Sequence, residues 1–116
     1  MTRITSAELA HWQASGLPFS LLDVRRAAAR EGDAAQIAGA QWLAPEALLL
    51  WKDRIARDRP AIFYCAHGHE ISQGSAATLQ AMGLDARYLI DGFAGWRAAG
   101  RPTVSLAAGV DGAVNP

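Results

Sequence analysis

The chain contains one cysteine, Cys65, and its neighbours decide what that thiol can do. It directly follows the apolar run Ala61-Ile62-Phe63-Tyr64 and opens the polar segment Ala66-His67-Gly68-His69-Glu70, with a helical pattern from Ser72. A strand–loop–helix passage puts such a residue at the carboxyl end of its strand, where ligands of open α/β sheets gather. Gly68 can turn the loop without steric cost. Successive loop amides can then point inward as an anion-binding concavity, and the helix N-terminus adds its positive end. Both effects favour a thiolate over a thiol and make Cys65 a candidate nucleophile. His67 reads either as substrate-facing or as a loop stabiliser, and His69 as a solvated loop residue that adds polar or cationic character. The plainer alternative for Cys65 is a small buried hydrophobe ending a strand. The loop, glycine and helix that follow speak against it. One thiol and two nearby histidines make neither a disulfide nor a thiol-rich zinc site, so no metal or cofactor is expected.

The elements that must position this loop can be read from the rest of the chain. At 116 residues and 12.3 kDa it has the length of one domain, with 51% apolar and 19% charged residues. Eleven Lys and Arg balance eleven Asp and Glu. This charge balance leaves no basic excess for nucleic acid. No stretch nears the roughly 20 apolar residues of a membrane span, and Met1-Thr2-Arg3-Ile4-Thr5 lacks a signal-peptide core. A soluble cytoplasmic protein is the expectation.

Thr5-Ser6-Ala7-Glu8 has the form of a capping box. A helix carrying Leu9 and Trp12 on one side should follow and end at Gly16. Phe19 to Val24, Ala61 to Tyr64 and Ala86 to Ile90 read as strands, the first two buried on both faces of a parallel sheet. Ile37 to Leu43 reads as a turn into a brief strand. Helices are predicted within 25–35, over 45–57 with Leu48, Leu49, Trp51 and Ile55 inward, over 72–82, and over 93–99. The alternation predicts an α/β class, a central mostly parallel sheet of about five strands flanked by helices on both faces. Residues 1–116 form one domain in this reading, with about 103–116 an edge piece or loose tail.

Four motifs in order give the chain a family resemblance. Leu22-Asp23-Val24-Arg25 is similar to the opening strand of the rhodanese-like sulfurtransferases, and Gln36-Ile37-Ala38-Gly39-Ala40 to their His-Ile-Pro-Gly-Ala segment. Tyr64-Cys65-Ala66-His67-Gly68 resembles the active-site loop of the single-domain thiosulfate sulfurtransferases. Asp91-Gly92-Phe93-Ala94-Gly95-Trp96, followed by Gly100-Arg101-Pro102, resembles the closing Gly-Gly-x-x-x-Trp and Gly-x-Pro signature.

The resemblance implies a rhodanese-like fold and a ping-pong sulfur transfer. Cys65 would take the outer sulfur of thiosulfate or a persulfide and pass it to cyanide, a small thiol or a protein thiol. Ala66, His67, Gly68, His69, Glu70 and Ile71 would form the substrate loop. Arg25 would pair with Asp23 or an acidic loop residue, or help bind a substrate anion. Asp23 would tie the strand end to neighbouring amides, and Trp42 and Trp96 would serve in packing. Glu70 departs from the arginine many members carry there. It either repels a dianionic donor or faces solvent at a helix start, where the macrodipole favours it.

Three rival readings differ from this one in specific residues or partners. A cysteine phosphatase needs an arginine six residues after the cysteine to clamp phosphate, and Ile71 stands there. A non-catalytic binding module of the same fold would commonly lack the cysteine. A persulfide relay differs only in its acceptor.

Overall fold

The computed structural model describes residues 2–106. The expected capping box opens helix α1 (Ser6–Ser15): the Glu8 amide donates to Thr5 Oγ1 at 3.0 Å, and the Thr5 amide donates to Glu8 Oε1 at 2.8 Å. Gly16, in the left-handed region with φ 72°, ends it. The apolar runs become strands β2 (Ser20–Asp23), β5 (Ala61–Tyr64) and β6 (Ala86–Leu89). Two shorter strands, β1 (Arg3–Ile4) and β4 (Gln41–Trp42), complete one parallel sheet in the order β1-β6-β5-β2-β4. This is the central, mostly parallel α/β sheet of five strands that the alternation of elements predicts.

The sheet is covered on both faces. One core joins Leu22, Val24, Phe63 and Cys65 of the sheet side to Trp51, Ile55, Ala76 and Leu79 of the helical layer. The other joins Ile4, Leu21, Ile62, Tyr64 and Leu89 to Leu9, Phe93 and Trp96. Helix α2 (Ala27–Asp33) follows β2, α4 (Glu70–Ala81) follows β5, and α5 (Gly92–Ala98) follows β6. Each crossover therefore delivers a helix start to the carboxyl edge of the sheet, where β2 and β5 run side by side from Ser20↔Ala61 to Asp23↔Tyr64.

One expectation needs correction. The helix predicted over 45–57 is a broken one: 3-10 turns at Pro45–Ala47 and Lys52–Arg54 flank a single α-turn, α3 (Leu48–Trp51). Trp51 and Ile55 are buried and Leu48 half-buried, but Leu49 is 78% exposed. Leu48, Trp51 and Ile55 lie at three-to-four spacing on one face; Leu49 is turned about 100° from it. Of the C-terminal segment, expected as an edge piece or a loose tail, the first residues are described. Thr103–Ser105 forms strand β7, antiparallel to β3 (Ala35–Ile37) with Ile37 opposite Thr103. The remainder of the expected tail, 107–116, lies outside the described residues. Among the described residues no helix is long and apolar enough to cross a membrane.

Candidate active site

Cys65 follows directly where β5 ends, 5% exposed, and lines a cavity of about 390 Å³. Arg25, Arg26, Ala29, Ala66, His67, His69, Glu70 and Ile71 line that cavity with it. Most of the residues the sequence singled out are thus brought together. Gly68 is buried behind them.

The loop from Cys65 to His69 is held from outside by the start of α5. The Phe93 amide donates to the Cys65 carbonyl at 2.9 Å, and the Ala94 amide donates to the Ala66 carbonyl at 2.9 Å. Contact is close enough to require glycine on both sides. A Cβ on Gly68, whose φ is +74°, would lie 2.7 Å from the Asp91 nitrogen; one on Gly92 would lie 2.6 Å from the Gly68 nitrogen. With the loop carbonyls turned to α5, the amides of Ala66, His67, Gly68 and His69 have no protein acceptor among the described residues. Helix α4 begins at once, its cap His69 making no side-chain bond to the first turn. These N–H groups are the donors that an anion-binding concavity of the expected kind would use.

Ser72 is a site residue that sequence reasoning missed. Its hydroxyl is fully buried and lies 3.1 Å from Cys65 Sγ. The predicted helix begins at Ser72, whereas α4 begins at Glu70; the two additional residues place Ser72 within the first turn rather than at its start. Gln73 Nε2 donates to the Gly68 carbonyl at 2.9 Å and ties the loop to the same helix.

Arg25 has its guanidinium bound inward. Its side chain is fully buried. Nε and Nη2 donate to the Asp23 carboxylate, Nη2 also to the Ala35 carbonyl at 2.8 Å, and Nη1 to Asp33 at 3.1 Å. The guanidinium carbon stands 4.2 Å from the Phe93 ring centre. Burial works against this charge, yet the hydrogen bond and charge of Asp23 hold the guanidinium above its ordinary pKa. Burial, with Asp23 nearby, also pushes the Tyr64 phenol well above its usual range, and its oxygen accepts from the Ile37 amide at 3.2 Å. Asp23 also accepts from the Arg25 amide at 3.0 Å, as a residue tying down the strand end should.

The remaining expected residues fall at the rim or in the packing. His67 and His69 are exposed, with ring centres 6.2 Å apart. Glu70 is exposed and also lines the cavity, so the two orientations set against each other from sequence are one position. Trp96 is fully buried and donates to the Pro102 carbonyl at 2.8 Å, while Trp42 donates to the Arg25 carbonyl at 2.9 Å. Arg26, which sequence reasoning did not single out, is exposed on the cavity wall. No group of three or more His, Cys, Asp or Glu residues with metal-site geometry occurs among the described residues.

Comparisons with known proteins converge on one family. The model of the rhodanese-like domain matches residues 5–99. The thiosulfate sulfurtransferase GlpE of Tolumonas auensis is 38% identical over 66 residues, 56% of this chain; the match spans 61% of that relative's own length. A rhodanese-related protein from Thermoplasma volcanium superposes with a TM-score of 0.78 at 24% identity, covering 90% of this chain and 98% of that one. A protein of unknown function from Rhodopseudomonas palustris, described as a possible tyrosine phosphatase, gives a TM-score of 0.76 at 28% identity, covering 88% and 83%.

Proposed function

The chain belongs to the rhodanese-like domain family, and from that premise we propose that it is a sulfurtransferase working through a persulfide on Cys65. The observation that carries this reading is the placement of the one thiol. Cys65 lines a cavity at the carboxyl edge of the sheet, beside a buried hydroxyl and a run of amides without protein acceptors among the described residues.

In the first half-reaction the Cys65 thiolate attacks the outer sulfur of thiosulfate. A sulfur–sulfur bond forms to Cys65, the bond to the sulfonate sulfur breaks, and its electron pair leaves with sulfite. In the second, a thiophilic acceptor such as cyanide attacks the carried sulfur, and thiocyanate and the thiolate result. Negative charge stays on sulfur at the loop throughout, and amide donors set around it stabilise each anionic species. Ser72 can donate its hydroxyl to that charge, since a thiolate can only accept. A cytoplasmic setting would keep the thiol reduced.

The reading predicts ping-pong kinetics. With thiosulfate and cyanide varied together, double-reciprocal plots should be parallel; intersecting lines would speak for a ternary complex and against a covalent sulfur carrier. Ser72→Ala should lower kcat/KM for sulfur transfer about tenfold or more, the usual loss for a hydrogen bond to a charged group. Ser72→Thr should recover part of it. An unaltered Ser72→Ala enzyme would remove the hydroxyl from the mechanism. Phosphatase chemistry is disfavoured by Ile71, which stands on the cavity wall where a phosphate clamp needs an arginine. Release of p-nitrophenol from its phosphate ester should stay at background.

A further inference from the structure

Two opposite charges stand at the mouth of the Cys65 cavity. Arg26 caps α2 from an exposed position, and Glu70 is the first residue of α4. Both line the cavity, and neither forms an ion pair among the described residues. The other guanidinium in the lining, that of Arg25, is bound inward to Asp23, Asp33 and the Ala35 carbonyl. Charge recognition at the cavity therefore falls to Arg26 and Glu70, beside the polar rings of His67 and His69, with apolar wall supplied by Ala29, Ala66 and Ile71.

This arrangement suits an inorganic dianion poorly. Thiosulfate would be attracted by Arg26 and repelled by Glu70, and the two effects oppose each other. A small molecule carrying both a carboxylate and an ammonium gains from both, and its aliphatic link meets the apolar wall. A cavity of about 390 Å³ has room for a molecule of amino-acid size. We propose that the cavity selects a zwitterionic persulfide, an α-amino acid bearing an S–SH group, with Arg26 receiving the carboxylate and Glu70 the ammonium. The proposal deepens the sulfurtransferase reading and rests on it. The Cys65 thiolate attacks the terminal sulfur of R–S–SH and forms a new sulfur–sulfur bond. The old sulfur–sulfur bond breaks, its electron pair leaves with R–S⁻, and the proton stays on the transferred sulfur. The step needs no oxidant or reductant.

The test measures single-turnover loading of Cys65 by quenched-flow and intact mass. The donors are cysteine persulfide, N-acetylcysteine persulfide and thiosulfate, each rate divided by that donor's rate with a small free thiol. The wild-type protein should favour cysteine persulfide over its N-acetyl form roughly fivefold, as one exposed ion pair allows. Glu70→Gln should erase that preference and speed loading from thiosulfate. Arg26→Gln should slow all three donors. Melting curves check that both variants fold. The proposal is overturned if the wild-type protein does not distinguish the two persulfides, if Glu70→Gln keeps the preference, or if Arg26→Gln loads at the wild-type rate. Failure of the underlying sulfurtransferase reading would look different: no donor would load Cys65 in any of the three proteins.

Discussion

Cys65→Ser should abolish sulfur transfer from thiosulfate to cyanide, with a loss on the order of a thousandfold or more, down to the uncatalysed background. The substitution is nearly isosteric, so the argument is chemical. A hydroxyl at this position is not ionised near neutral pH and cannot hold a transferable sulfane sulfur, whereas a thiolate is both nucleophile and leaving group. The carbonyl of residue 65 still accepts from the Phe93 amide, and the loop stays clamped between β5 and α5. The melting temperature should therefore stay close to that of the wild-type protein. Thiocyanate formation in a steady-state assay checks the prediction. Turnover surviving in the serine variant would place the chemistry elsewhere in the chain.

Asp23→Asn should unfold the protein more readily than any other single polar change in the site. Asp23 is fully buried and holds the buried Arg25 guanidinium through Nε and Nη2, the shortest contact being 2.7 Å. Arg30 approaches the same carboxylate at 3.5 Å. Neutralising Asp23 leaves Arg25 in an apolar setting against Phe93 and Tyr64, with Asp33, which is 38% exposed, as its remaining ionic partner. Breaking a buried pair in this way costs about 3–5 kcal/mol, which lowers the melting temperature of a chain this size by about 10–20 °C. Thermal unfolding followed by circular dichroism measures it. The double variant Asp23→Leu, Arg25→Met should recover part of the loss, because no unpaired charge remains. A shift of a degree or two in Asp23→Asn would mean that the pair contributes little.

What could be read from the sequence divides along physical lines. The strand Ala61–Tyr64 and the loop after it were legible because a short apolar run, a glycine and a helical period occur in direct succession. The capping box at Thr5 and Glu8 was legible for the same reason, being a local pattern with a local cause. Arg26 was not, because its place on the cavity wall depends on the ends of β2 and β5 lying side by side, forty residues apart in sequence. Ser72 was hidden by the helix start: two residues decide whether its hydroxyl faces the sulfur or the solvent. Strands β1, β3 and β7 are two or three residues long, too short for a period to register. Leu49 looked like core because a run of three leucines fits a helical stripe in more than one register; the 3-10 turns on either side settle which face turns inward.

Intact mass after donor treatment bears most directly on the covalent carrier. The wild-type protein, incubated with thiosulfate or cysteine persulfide and desalted, should gain the mass of one sulfur atom, and cyanide should remove it. If the protein's mass is unchanged after both donors, Cys65 carries no sulfur and the rhodanese-like fold serves another purpose in this chain.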